Sequence, residues 1–157
     1  MDTAFKVINY EIMMFLRALI VEQRKTLIQA TNPNLLLYTK NALAESRVLH
    51  IRVLAEVFLS GGRNDDIKAN RIMPEWCKKN SNILSELNYA YITELSEIGE
   101  SPKTLIDKHL AHATLKRGES FDWSPVIKRM EQPLINLLKT LPIENFPSLA
   151  LLTEVEV

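Results

Sequence analysis

The sequence predicts an all-α fold, a single helical bundle of about five helices in up-down order. Three observations predict it. Apolar residues recur three and four positions apart over long stretches. The 4 Gly and 7 Pro fall mostly between those stretches rather than inside them. No run alternates like a strand, apart from a weak alternation at Val155-Glu156-Val157. With 157 residues, 46% of them hydrophobic, the chain can build a real core as one domain. Its apolar fraction excludes a disordered chain.

A first helix is expected over 3–28. Phe5, Ile8, Ile12, Phe15, Leu16, Leu19 and Ile20 give it helical spacing, and Asp2 or Thr3 can cap it. Thr31-Asn32-Pro33-Asn34 is turn chemistry. A second helix follows over 34–60 and stops at Gly61-Gly62. Leu35, Tyr38, Ala42, Leu49, Val53 and Val57 share one of its faces, while Ile51, Leu54 and Phe58 lie elsewhere. Its second half is therefore apolar on most sides, as a central helix would be.

Residues 61–73 form a long polar connection with a short helical turn inside it. Pro74-Glu75-Trp76 opens another short helix, with Pro in its first turn. A third long helix is expected over 81–98, stopped by Gly99. Ser101-Pro102 starts a fourth, reaching about residue 116, and Ser124-Pro125 repeats that start for a fifth, to about residue 141, bent at Pro133. The remainder, 142–157, reads as a partly ordered tail. Its apolar stretch Leu149 to Leu152 docks on the body or on a second copy, and residues 153–157 fray.

Lys plus Arg and Asp plus Glu are 19 each, so the net charge is zero. That balance argues against a general nucleic-acid coat but leaves room for a local basic patch. Cys77 is the sole cysteine, which excludes an internal disulfide and a multi-thiolate zinc site. Lys78 and Lys79 beside it would lower its thiol pKa. No secretory signal and no bilayer-spanning run is present, so a cytoplasmic protein without membrane contact is expected.

Two segments carry the polar chemistry. In the first, Glu45, Arg52 and Glu56 project to the side of Leu49 and Val53, with His50 on the flank. Buried charges are costly unless paired, so these residues form an internal ionic network or line a cleft that tunes a carboxylate or imidazole. Asp65 and Asp66 belong to the same polar set, as a helix cap, a solvated pair or a cation site. In the second segment, His109 and His112 are helical neighbours beside Lys108 and Arg117. Neutral imidazoles bind transition metals, so His50, His109 and His112 are the one candidate metal set. Bundles of the DinB-like type use three histidines in a comparable layout, although their late pair is usually four apart. No Glu-x-x-His repeat suggests a di-iron centre, no phosphate loop or nucleophile elbow is present, and no cofactor is expected.

Several pieces together resemble a family of uncharacterised bacterial all-α proteins. They are His50-Ile51-Arg52-Val53-Leu54, Phe58, Asp65-Asp66 and Pro74-Glu75-Trp76, then Ile106-Asp107-Lys108, Ala111-His112, Thr114, Arg117 and Trp123-Ser124-Pro125. The resemblance implies a helical bundle in which His50, Arg52, Asp65, Asp66, Lys108, His112 and Arg117 converge; His109 is outside the pattern. It supplies no reaction. A looser likeness is to HEPN domains, helical bundles of toxin–antitoxin and phage-defence systems. Their active members are ribonucleases with an Arg followed four to six residues later by His. That motif is missing here, so a nuclease would have to assemble His112, Arg117, Arg52, His50 and Lys108 across two helices or across a homodimer.

The expectation is therefore a helical interaction module with a polar network, acting through a protein partner or as a homodimer. An RNA-binding or ribonuclease domain and a three-histidine metalloenzyme are the alternatives. Whether the chain is an enzyme stays open at this point.

Overall fold

A computed structural model describes residues 3–24, 33–59, 66–111 and 121–155. Among these residues all regular structure is helical and no strand occurs. Helix α1 (Thr3–Gln23) runs against α2 (Pro33–Phe58), the longest element. Short helices α3 (Ala69–Ile72) and α4 (Pro74–Lys79) lead into α5 (Ser81–Ile92). Helix α6 (Pro102–Ile106) continues into a π-helical segment (Asp107–Ala111). Helix α7 (Ser124–Leu138) and a 3-10 helix (Pro147–Glu154) complete the chain.

Among the described residues there are seven α-helices, the five expected as the bundle and the two short ones expected in and just after the polar connection. Pro74 separates the two short helices α3 and α4, because its ring cannot continue the preceding turn. The all-α expectation holds. Helix α5 ends six residues before its expected stop at residue 98. Thr93 is extended, and a turn closes on Leu95, whose carbonyl accepts from the amides of Ile98 at 3.0 Å and Gly99 at 2.7 Å. Gly99 takes φ +76°, a left-handed value that a side chain would strain. The turn still delivers Leu95 to the core, 6% exposed, so the apolar period survives where the helix does not.

One apolar cluster joins the helices. Ile8, Ile12, Phe15 and Leu16 of α1 meet Val48, Ile51 and Leu54 of α2, and Met130, Leu134 and Leu138 of α7 close it. Helix α7 continues through Pro133 to Leu138. Its start is capped differently from expectation. Ser124 lies inside the helix, and the Asp122 carboxylate accepts its amide at 2.9 Å. Hydrogen bonds from the Ser124 side chain and then its backbone hold Asp122 below the usual carboxylate range.

The apolar tail docks on α1. Phe146 is fully buried with its ring centroid 5.5 Å from that of Phe5, and the Ser148 amide donates to Asn9 Oδ1 at 2.9 Å. Thr153 and Glu154 continue the 3-10 helix, and Val155 is buried rather than frayed.

Helix α2 corrects the sequence reading in a way that matters later. Its core face carries Arg47, Val48, His50, Ile51, Leu54, Ala55, Val57 and Phe58. Leu35, Tyr38, Ala42 and Leu49, four of the residues read as one shared apolar face, are exposed instead. Helices α1, α7, α5, α6 and α3 all pack on α2, as expected of a central helix, and its buried residues all lie from Arg47 onward.

Candidate functional site

The two polar segments picked out from the sequence meet where α2 passes α6. Arg52 Nε donates to Glu56 Oε1 at 2.9 Å, one helical turn away. Its Nη2 lies 3.7 Å from Asp107 Oδ1, at the first residue of the π-helical segment. Asp107 Oδ2 also accepts from Lys103 Nζ at 2.9 Å, and Lys108 pairs with Glu100. From the far side of Glu56, the half-turn before α3 sends Lys68 Nζ to the Glu56 carbonyl oxygen at 2.5 Å.

Ser101 builds the α6 side of this cluster. Its hydroxyl accepts the Thr104 amide at 3.2 Å, and Pro102 presets the first helical turn. The π-helical turn then carries Asp107. Such turns are rare and cluster at functional sites, because the extra residue re-aims a side chain. Beneath the ion pairs lies Tyr91 of α5. It is 4% exposed, and its hydroxyl has no hydrogen-bond partner among the described residues. Burial pushes its pKa well up from the ordinary phenol value, Glu56 and Asp107 add to the rise, and Arg52 opposes it.

A second ionic group is deeper. Arg47 is 2% exposed and pairs with Glu22 of α1 and Glu131 of α7, tying three helices together. Burial lowers its pKa and the charge of Glu131 partly restores it. His50, one turn on, meets Glu11 of α1, with Nδ1 at 2.6 Å from Oε2. His50 therefore joins the α1–α2 seam and not the Arg52 cluster.

The sequence reading located Arg52 and Glu56 but placed them in a buried half of the helix. Glu56 is exposed, the Arg52 side chain is 28% exposed, and Glu45 is exposed too. The buried cation is Arg47, which the sequence reading missed along with its partners Glu22 and Glu131 and with Glu11, the partner of His50. Arg47 was findable, since it lies four and seven residues before Ile51 and Leu54 and so shares their face. The carboxylates come from other helices and leave no such local mark.

His109 stacks on Phe121 at 4.3 Å between ring centroids, with Trp123 edge-on at 6.4 Å. Asp66 is exposed, and its carbonyl accepts from Arg71 at 3.4 Å. Asp65, His112 and Arg117 lie outside the described residues, and with them the convergence that both the three-histidine set and the nuclease alternative require. Among the described residues no group of three His, Cys, Asp or Glu is placed to hold a metal ion. None of the described helices is long and apolar enough to cross a membrane.

An open groove of about 470 Å³ runs between the end of α2 and α5, lined by Phe58, Leu59, Cys77, Leu84, Tyr89 and Ile92 with Asn70, Ser85 and Asn88. Burial pushes the Cys77 thiol up from its ordinary value, the opposite direction to the one its flanking lysines suggested. Trp76, next to it, donates Nε1–H to the Thr140 carbonyl at 2.9 Å and tilts against Phe58, which seals that end of the bundle.

Comparison of the chain with protein-family models, with curated proteins and with solved structures found no match in any of the three.

Proposed function

We propose that this chain is a helical interaction module, whose work is to hold a protein partner on an exposed apolar helix surface. The observation that carries the reading is on α2, where Leu35, Tyr38 and Leu49 are 57%, 70% and 43% exposed on the side away from the core. Large apolar side chains grouped on one solvent-facing stripe favour association. The polar clusters support the same reading. Arg47, Arg52 and Lys103 each face a carboxylate, and the His50 imidazole meets Glu11. Groups tied up this way brace helices against one another more readily than they attack or protonate a substrate.

Site-specific photo-crosslinking in the cell of origin tests it. A crosslinkable residue at Tyr38 is expected to give discrete protein adducts, and one at the exposed Lys128 of α7 none. Adducts to RNA at Tyr38, or the same diffuse adducts at both positions, would overturn the reading. So would RNA cleavage by the purified untagged protein that His112→Ala abolishes.

A further inference from the structure

We infer that the groove between the end of α2 and α5 binds a small amphipathic acid, an apolar body carrying one carboxylate, at a site independent of the α2 stripe. The groove holds about 470 Å³, within the range of ordinary small-molecule sites. Phe58 and Leu59 at the end of α2 line one wall, and Leu84, Tyr89 and Ile92 of α5 line the other. Residues 84, 85, 88, 89 and 92 recur at helical intervals, so α5 turns one stripe toward the groove. Tyr89 and Ile92 are 62% and 52% exposed. A ligand with a hydrocarbon part would take that surface out of water. None of the lining side chains is charged, so the groove itself suits a neutral body.

The charge that selects an acid comes from the next helix. Arg129 of α7 lies over the Tyr89 ring, with Cζ 5.3 Å from the ring centroid. Tyr89 is thus both a wall of the groove and the platform for a guanidinium. Three guanidinium groups are buried or half-buried among the described residues, those of Arg47, Arg52 and Arg129. Arg47 and Arg52 face carboxylates, whereas Arg129 makes no ion pair among the described residues. Its Nε is buried and has no hydrogen-bond partner among them either.

A half-withdrawn cation without an acid is the side of the contact that the protein supplies, and a carboxylate at the Tyr89 edge supplies the other. The planar fork of arginine matches a carboxylate with two parallel hydrogen bonds. A cationic ligand would be repelled there, and an uncharged one would leave the guanidinium as it is. The apolar body then lies along Leu84, Ile92, Phe58 and Leu59.

Cys77 reports occupancy, because it is the sole cysteine and lines the groove. Alkylation of the purified full chain by iodoacetamide at mildly alkaline pH is followed with octanoate or octanol added. Octanoate is expected to slow the reaction saturably. Octanol, with the same chain and no charge, should need about tenfold more for the same protection. Arg129→Gln should weaken octanoate about tenfold and leave octanol unmoved, while Arg129→Lys should recover part of the loss. Ser85→Trp, at an exposed position beside the groove, fills it and should abolish the binding of both probes. That variant is read by calorimetry, since the new ring itself shields Cys77. Circular dichroism checks that each variant is folded, and the comparison of octanoate with octanol on the unaltered chain needs no variant. Equal protection by octanol would overturn the choice of an acid. Octanoate binding unmoved by Arg129→Gln would overturn the role of Arg129. Binding that survives Ser85→Trp, or no protection by octanoate at low millimolar concentration, would overturn the site.

Discussion

Tyr91 is where single-residue physics is most exposed to test. Its ring sits in the core, and its hydroxyl is buried with no partner among the described residues. A buried hydroxyl without a hydrogen bond is a net cost, so Tyr91→Phe is expected to be neutral or to stabilise by about 1 kcal/mol in chemical denaturation. A loss of about 2 kcal/mol instead would mean that the hydroxyl has a strong partner, such as an ordered water. The same residue sets an alkaline limit. Its folded pKa is raised, so above pH ~10 the unfolded chain releases the proton while the folded one keeps it. The folded state then binds more protons, and stability falls as pH rises through that region. Tyr91→Phe should flatten this decline relative to wild type, measured as denaturant midpoints from neutral to alkaline pH. Arg47 tests the opposite case, a buried charge that is paired. Removing Glu131 leaves its guanidinium with Glu22 alone, whose side chain is 54% exposed, so Glu131→Ala should cost about 2 kcal/mol. Arg47→Met removes the desolvated charge itself and frees both carboxylates toward water, so it should cost less than Glu131→Ala. The reverse order would show that the guanidinium packs the three helices together rather than merely being tolerated among them. Residues such as Arg47 are half legible in a sequence. Its place on a core face follows from spacing, but the acids that make its burial tolerable lie 25 residues before it and 84 residues after it.

At the scale of elements, local chemistry was easy to read wherever the chain itself supplies the signal. The spacing of Ile8, Ile12, Phe15 and Leu19 built α1, Pro74 started α4, and Ser101-Pro102 started α6. The failures were of two kinds. Apolar spacing continued past Ile92 although the helix did not, because a turn closed by Gly99 also brings Leu95 inward. Along α2, spacing revealed an apolar face but not which of two faces the core would take, since that depends on what packs against it. The family resemblance implied that Arg52 and Lys108 converge, but no local pattern marks the contact of Arg52 with Asp107, 55 residues apart. The Ser101 cap is the point at which this junction can be loosened without touching its charges. Ser101→Ala removes the acceptor for the Thr104 amide and should cost about 1 kcal/mol. Because α6 runs straight into the π-helical turn, the loss should be local. Amide exchange is expected to quicken in residues 102–110 before it does in α1 or α7. Uniformly faster exchange throughout would mean that α6 folds and opens with the whole bundle.

On the scale of the whole molecule, the tail decides how α1 is held. Helix α1 is covered on one side by α2 and on another by the 3-10 helix, so both ends of the chain close the core together. The contact has an apolar centre and a polar edge. Phe146 is fully buried against Phe5, while Arg24 Nη2 meets Glu154 Oε2 at 2.6 Å with both side chains about half exposed. Those two parts should contribute very differently. Phe146→Ala opens a cavity among α1 residues and should cost about 3–5 kcal/mol. Arg24→Ala breaks a solvent-screened pair and should cost less than about 1 kcal/mol. Removing residues 147–157 strips Leu149 and Val155 from the core and uncovers the α1 surface beneath them. The truncated chain should unfold at lower temperature and bind a hydrophobic dye in its folded state. A truncated chain as stable as the full one would show that the tail merely rests on α1.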